Sequence, residues 1–363
     1  MTVFVDIHAI HSVPPSNLNR DDNGSPKTAT FGGVRRHRVS SQSWKKAIRD
    51  DYNNRFAGAN KGFRTVNVAQ LVAEQIVALD PTQTVEAATE SAVAKLISLA
   101  IIGKTRADKK EVTSDSLLLI SAKQVEAIAR VIVNGGSDKE LKAAIKGENS
   151  LDLALFGRMV ASNNELNVEA ASQFAHAIST HEVANEFDYF TAVDDFSTSD
   201  HSGAAMMGDI EFASSTLYRF ASINVNALTK QFSNDDEVIG AALSGFIDSF
   251  VRALPSGKQN TFAALSLPEA VVVSVRTDQP VSFVGAFEKP IRSSDEGYSD
   301  TSVKALVKYH QSVENTYGSQ DTSVIALATS DAAKESLASI AELTSLADLK
   351  TKAAGLAVSK LER

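Results

Sequence analysis

The amino-acid sequence predicts an α+β fold that carries insertions. The chain opens with "TVFVDIHAIHSV", in which residues alternate as they do along a strand with two different faces. Residues from about 65 to 180 are rich in alanine and divide into amphipathic, helix-like segments. Strand-like segments rich in β-branched and aromatic residues return from about residue 185. Because strands and helices do not alternate regularly, the order of elements favours a mixed α+β domain over a βαβ array.

Length and composition are those of an ordinary globular protein. The chain has 363 residues, 43% hydrophobic content and a formal net charge of −8. It contains no cysteine, which excludes disulfides and thiolate metal sites. It has no uninterrupted apolar run of about 18 residues, and the first residues lack a basic leader. We therefore expect a cytoplasmic protein with no membrane partner.

Residues 16–49, which we call the basic strip, carry a net positive charge, whereas the chain as a whole is acidic. The strip holds eight cations against two carboxylates, mixed with Gly, Ser, Asn and Gln. Such a cluster on an acidic chain indicates a polyanionic partner. Phosphate contacts need charge and hydrogen-bond donors rather than base-reading geometry, so we expect sequence-tolerant binding with a steep salt dependence. The cations are Arg20, Lys27, Arg35, Arg36, Arg38, Lys45, Lys46 and Arg49.

The end of the strip, "SSQSWKKAIRDDY", predicts a two-faced helix. Ser40 or Ser41 is expected to be its N-cap, because a short side-chain oxygen can accept from the amides of the first turn. A spacing of i, i+3, i+4, i+7 places polar residues on one face and apolar residues on another. The polar set is Gln42, Lys45, Lys46 and Arg49, and the apolar set is Trp44, Ile48 and Tyr52.

The remaining elements follow from local patterns. Capping boxes at "SAKQ" (121–124) and "SDKE" (137–140) predict two helix starts, and "VEAASQFAHAIST" (168–180) predicts another helix. The segments "NEFDYFTAVDD" and "GDIEFASSTLYRFASINVNAL" predict two long strands joined by a tip of small residues, hence a projecting hairpin. Further along, "EAVVVSVRT" and "PVSFVGAFE" predict two strands around a turn at Asp278–Pro280.

No sequence motif predicts a cofactor, a metal site or a catalytic nucleophile. "PSGKQNT" (255–261) lacks the first glycine of a phosphate loop, since Arg252 occupies that position, and predicts a turn that can still hold a phosphate through Lys258. "HEVAN" has Asn185 where a zinc-protease helix requires histidine. Asp21 and Asp22 have two interpretations. Adjacent carboxylates beside cations suit metal binding or acid–base chemistry on a phosphodiester, but a solvated turn is the favoured interpretation.

Several motifs together resemble one family. "LNRDDNGSPKTATFGGVRRHRVSSQSWKKAIR" (18–49) closely resembles the N-terminal signature of CasC, the backbone subunit of the type I-E CRISPR surveillance complex Cascade, in the RAMP superfamily. The resemblance continues through residues 152–159, 190–196, 208–225 and 254–264, in the order of the family. It spans most of the chain, whereas residues 65–150 are only loosely similar.

The resemblance implies an RRM-like (ferredoxin-like) palm with a helical fingers insertion and a β-hairpin thumb. Residues 1–60 and 229–363 would form the palm, 61–185 the fingers and 186–228 the thumb. It also implies a non-catalytic subunit, with no cofactor. Several copies would stack head to tail along a CRISPR RNA among other Cascade subunits. They would grip its phosphate backbone, kink it at regular intervals and leave bases free to pair with a target DNA strand.

The resemblance also assigns roles to residues. Phosphate contacts fall to seven residues of the basic strip, in addition to Lys258, which the turn at 255–261 already suggests. Met206 and Met207 are candidate wedges at the thumb, since a methionine can pack against a base without reading it. Met159 is a lesser candidate for stacking. Related subunits of type III complexes cut RNA with a loop aspartate, so a metal-dependent ribonuclease using Asp21 or Asp22 is the alternative. The seven residues are Arg20, Lys27, Ser40, Gln42, Lys45, Lys46 and Arg49.

Overall fold

The computed structural model describes residues 1–102, 112–114, 116–192, 206–232, 235–318 and 321–361. The chain divides into two compact units. The first comprises Met1–Ile48, Gln173–Val225 and Leu243–Arg363, and the second comprises Arg49–Ser172 and Asn226–Ala242. In the described part of the chain, no helix has the length and apolar character needed to cross a membrane.

Strands and helices both contribute extensively to the described chain. The strands are β1 Phe4–Ser16, β2 Thr28–Phe31, β3 Val34–Val39, β4 Gly62–Thr65, β5 Leu118–Ser121, β6 Ser172–Phe174, β7 Ala177–Ser179, β8 Glu186–Ala192, β9 Met206–Asn224, β10 Ala270–Arg276, β11 Ser323–Ala328 and β12 Glu342–Leu343. The helices are α1 Ser41–Arg55, α2 Val68–Leu79, α3 Val85–Ser98, α4 Ala122–Val133, α5 Asp138–Lys146, α6 Leu151–Phe156, α7 Val225–Thr229, α8 Asp236–Arg252, α9 Gln259–Phe262, α10 Ser299–Tyr317, α11 Asp331–Leu337 and α12 Leu346–Ser359.

A large sheet dominates the first unit. Its main path runs β12-β11-β10-β1-β9-β7-β3-β2, with β6 and β8 also paired to β9. Neighbours along it are antiparallel, apart from the parallel pair β11–β12. The predicted first strand is confirmed as β1, which lies between β9 and β10 and is buried along most of its length. The α+β class is therefore confirmed.

The two strands of the predicted hairpin are confirmed as β8 and β9. They pair antiparallel from Glu186 opposite Phe212 to Ala192 opposite Met206. β9 is 19 residues long and continues from this ribbon into the main sheet, where it pairs with β1. The tip of the hairpin, residues 193–205, lies outside the described residues.

The second unit is mainly helical, as the sequence predicts for its alanine-rich block. Helices α2 to α5 pack around a cluster of buried apolar side chains that includes Val72, Ile128 and Leu141. Both predicted capping boxes are present, at the starts of α4 and α5. The sequence did not predict the ribbon formed by β4 and β5, or helix α6.

Two predicted elements are wrong. The helix expected over residues 168–180 is instead the pair of strands β6 and β7, because Ile178 pairs with Arg38 of β3 and with Tyr218 of β9. The strand expected over 280–288 does not form: residues 280–283 are irregular, and Val284–Phe287 is a 3-10 helix. There, the amide of Val281 donates to Asp6 and the amide of Phe283 donates to the Tyr218 hydroxyl, so side chains replace a strand partner.

Candidate nucleic-acid interface

The loop at the start of the basic strip has its own hydrogen-bond framework. Asn17 Nδ2 donates to the carbonyls of Gly24 (2.8 Å) and Glu211 (2.9 Å), which ties the loop to β9. The amide of Lys27 donates to the Asn19 carbonyl at 2.9 Å. These bonds close the loop and leave Arg20 exposed and Lys27 half-buried. Two of the predicted phosphate-binding cations therefore lie on a folded turn.

Asp21 caps this turn. Its Oδ1 accepts from the amides of Asn23 (2.9 Å) and Ser25 (3.0 Å), while Asp22 is exposed. Within the described residues there is no group of three or more His, Asp or Glu side chains arranged to hold a metal ion. The contacts of Asp21 agree with the favoured interpretation of a structural turn.

Helix α1 has the two faces that the sequence predicts. Trp44, Ile48 and Tyr52 are all buried, so the inward face is confirmed. On the other face, Gln42 and Lys46 are exposed. Lys45 is partly buried, with Nζ 6.0 Å from the centre of the Phe174 ring.

Two of the predicted phosphate-binding residues have local partners. Ser40 is buried and is the N-cap of α1: its hydroxyl accepts from the amide of Ser43 at 3.3 Å. Arg49 lies in the second unit, with Nη2 3.5 Å from Asp50. Ser40 therefore holds the start of the helix, and Arg49 is partly neutralised.

One cation of the basic strip, Arg36, has a structural role. Arg36 is fully buried and donates to the carbonyls of Phe31, Ser179, Phe287 and Glu288. Burial lowers the pKa of its guanidinium. Arg36 therefore joins β3 to neighbouring segments and is not available to a ligand.

The turn that carries Lys258 packs against the basic loop. A β-carbon at Gly257 would lie 2.3 Å from the carbonyl oxygen of Leu18 and 2.7 Å from that of Asn17, so only glycine allows this approach. Lys258 itself has a left-handed backbone, with φ of 52°. Two motifs more than 200 residues apart in the sequence are thus adjacent in the first unit.

The hairpin carries an exposed apolar face. Residues opposite one another in an antiparallel pair share a face, so Met207 (opposite Thr191) lies on the same face as Phe187 and Tyr189. Their exposures are 62%, 68% and 60%. Met206 pairs with Ala192. Phe187 and Tyr189 are not among the residues predicted from the sequence, although the alternation in "EFDYF" is a detectable signal.

Met159 lies in the second unit and is 75% exposed. Its neighbour Arg158 is buried and donates to the carbonyls of Leu166 (2.8 Å) and Ile145 (3.1 Å). This anchoring holds the chain at the point where Met159 projects.

A buried arginine lies beneath α1, and the sequence did not reveal it. The Arg219 guanidinium carbon is 3.7 Å from the centre of the Trp44 ring and 4.5 Å from that of Phe250. Its Nη1 donates to His11 Nδ1 at 2.9 Å, and its Nη2 donates to the Phe250 carbonyl. Burial lowers the pKa of Arg219 to about 9, so it remains charged at neutral pH.

His11 must be neutral to make this contact. Burial, reinforced by the nearby Arg219 charge, lowers the pKa of His11 to about 3. Because an arginine can only donate, His11 Nδ1 accepts and the proton lies on Nε2, which donates to the Ser266 carbonyl at 3.1 Å.

The first unit is thus an α+β domain with a mostly antiparallel sheet, and it carries a cationic loop and the start of a cationic helix. Comparison with known proteins identifies the family. The CT1975-like protein family matches residues 5–352, and the chain belongs to this family, which confirms the resemblance to CasC.

Two solved structures are similar to the chain over nearly its whole length. One, described as a CRISPR RNA-guided surveillance complex, pre-nicking, is 30% identical, with a TM-score of 0.84, covering 97% of this chain and 100% of that one. A second, described as a CRISPR RNA-guided surveillance complex, is 29% identical, with a TM-score of 0.65, covering 98% and 99%. No curated protein matches the sequence.

Proposed function

We propose that the chain is a non-catalytic backbone subunit of a type I-E Cascade complex that binds CRISPR RNA. One observation carries the proposal: the basic loop, the exposed residues Gln42 and Lys46 at the start of α1, and the Lys258 turn belong to one compact unit of an otherwise acidic chain. The family membership and the two similar surveillance-complex chains support it.

The phosphate backbone of the RNA is the group that this surface suits. Arg20, Lys27 and Lys46 supply charge, while Gln42 supplies a neutral donor. Cationic contacts of this kind release counterions, so binding depends on salt and is indifferent to base sequence. The guide would be held by its shape, and its bases would remain free to pair with a target DNA strand.

We assign a palm, fingers and thumb to the segments expected from the family. The palm is RRM-like and comprises residues 1–60 and 229–363, the fingers comprise 61–185, and the thumb comprises 186–228. Met206 and Met207 of the thumb displace a nucleotide at each subunit, with Phe187 and Tyr189 available beside Met207 for stacking. Copies associate head to tail, a heterologous contact that builds an open helix when it does not close.

The phosphate-binding assignment is tested by charge removal. Arg20→Ala with Lys46→Ala, which removes two exposed cations of this surface, is expected to weaken binding for every guide sequence and to reduce the salt dependence of the affinity. The charge-matched control is Lys304→Ala with Lys308→Ala, two exposed residues of α10. Affinity is measured by fluorescence anisotropy over a range of salt concentrations. Equal losses in both double variants, or a loss restricted to particular guides, would contradict the assignment.

The alternative is a metal-dependent ribonuclease. Asp22 is exposed within the basic loop, so this alternative can be tested by replacing it. The assembled complex is incubated with Mg²⁺ and RNA complementary to its guide. We expect the RNA to remain intact. Cleavage at regular intervals that disappears in Asp21→Ala or Asp22→Ala would replace the non-catalytic proposal.

A further inference from the structure

We infer that Arg219 is a positioning residue for the RNA surface, acting through Trp44 to set the orientation of α1. The inference rests on the proposed function, because it concerns the same surface. Arg219 itself is buried and therefore inaccessible to a ligand.

The guanidinium of Arg219 joins three elements. It lies between the rings of Trp44, on α1, and Phe250, on α8, and it donates to His11 on β1. Among the described residues it forms no ion pair with a carboxylate. A buried charge is costly unless it is compensated, so here the two ring faces, a neutral imidazole and a backbone carbonyl take the place of a counterion.

These contacts determine the orientation of α1 about its axis. Trp44 is the only tryptophan of the chain and is 3% exposed. Lys45 and Lys46 follow Trp44 directly in α1. A rotation of the helix that displaces the indole therefore also moves both ammonium groups. The planar guanidinium stacks on the indole in one orientation, which an aliphatic side chain or a rotatable ammonium does not impose. Arg219 therefore fixes which way the cationic face points.

The test compares two buried arginines of the same sheet. Arg219→Lys keeps the charge but loses the stack and the forked donors. Arg276→Lys makes the same change on β10, where the arginine pairs with Asp278 and Glu314 and has no described contact with α1. Both full-length variants are titrated with fluorescein-labelled oligouridine at several salt concentrations, with the active fraction fixed by stoichiometric titration.

The salt slope separates positioning from simple destabilisation. Unfolding lowers the active fraction but leaves the slope of the folded molecules unchanged, whereas misplaced cations lose phosphate contacts, each worth about 0.7 in the slope. We expect Arg219→Lys to bind about tenfold more weakly with a shallower slope, and Arg276→Lys to retain the slope. A wild-type slope in folded Arg219→Lys overturns the inference, while RNA binding by the wild type still supports the proposed function. No RNA binding by the wild type defeats both.

A second measurement covers the case in which Arg219→Lys does not fold. Trp44→Phe keeps an apolar ring in place and reduces the aromatic surface on which the guanidinium stacks, and it is expected to show the same shallower slope. Where both variants fold, the double variant should lose no more affinity than the more affected single variant, because the two residues act in series. Independent, additive losses, or an unchanged slope in Trp44→Phe, would show that Arg219 does not act through Trp44.

Discussion

Gly257 and Leu18 are in backbone contact that leaves no room for a side chain: a β-carbon at Gly257 would stand 2.3 Å from the Leu18 carbonyl oxygen. The contact joins the Lys258 turn to the basic loop, two segments that carry predicted phosphate-binding residues. The relative position of Lys258 and Arg20 therefore depends on the absence of one methyl group.

Replacing that hydrogen tests the contact. Gly257→Ala is expected to lower the free energy of unfolding by about 1–3 kcal/mol, because backbone atoms must move apart, and to weaken RNA binding. Gly240→Ala is the matched control, since a β-carbon there meets nothing within 4 Å and α8 gains helix propensity. Urea denaturation and RNA titration measure the two effects. Equal behaviour of both variants would show that the turn moves freely away from the loop.

Asp21 is predicted to act through its turn rather than through its charge. Asp21→Asn keeps an oxygen that can accept from the amides of Asn23 and Ser25, so the loop and RNA binding should persist. Asp21→Ala removes that acceptor and should weaken RNA binding severalfold. Hydrogen exchange at those two amides reports the turn directly. Faster exchange in the alanine variant alone is the expected result, and protection lost equally in both variants would contradict it.

Folding stability should fall as the pH falls from about 6.5 towards 4. Burial is the main cause that lowers the pKa of His11 to about 3, that of His37 to about 4, and that of His8 well below its usual value. The unfolded chain therefore binds more protons below pH 6.5, and each histidine removes about 1.4 kcal/mol per pH unit until its folded pKa is reached.

Asp6 opposes this trend. Burial raises its pKa from 3.8 to about 6, so its contribution to stability is present at low pH and is lost as the pH rises through 6. One carboxyl group is outweighed by three histidines. Asp6→Asn keeps the acceptor for the Val281 amide and removes the opposing titration. The urea midpoint of this variant should fall more steeply between pH 6 and 4 than that of the wild type, and an equal or smaller dependence would refute the assignment.

Met207 is predicted to matter for RNA geometry and not for folding. Because its side chain is largely exposed, Met207→Ser should change the free energy of unfolding by less than about 0.5 kcal/mol. In the assembled complex, chemical probing of the ribose 2′-hydroxyls should show that the regular pattern of displaced nucleotides is weakened. Leu267→Ser, an exposed apolar residue outside the hairpin, is the control. An unaltered pattern in Met207→Ser would remove Met207 from the wedge.

Local signals allowed much of the fold to be predicted from the sequence. The capping boxes at Ser121 and Ser137, the two faces of α1 and the arms of the hairpin depend on residues close together in the chain. Segment 168–180 was wrongly predicted because its helix-compatible residues are held as strands by β3 and β9. Tertiary pairing overrides a weak intrinsic preference.

The candidate site was only partly predictable for a related reason. The basic strip was found by its charge, but the same reasoning treated every cation alike, and Arg36 is buried against four carbonyls. Arg219 gave no signal, because an arginine within a strand is expected at the surface. The role of Ser40 as the N-cap was open between two serines until the hydroxyl was seen to accept from Ser43.

The length of β9 has a consequence for how the gene can change. β9 carries Met207 on the ribbon with β8 and Arg219 beneath α1. The register of β1 against β9 shifts between these positions, opposite Ser215 and Ala213, but the extra residue lies in β1, so β9 keeps its two-residue period. Inserting one codon between them would turn the ribbon over relative to the buried arginine, exchanging its apolar and alternate faces. Insertions of two codons, matched in β8, preserve both. Among related sequences, insertions and deletions in each strand of this hairpin should therefore comprise even numbers of residues.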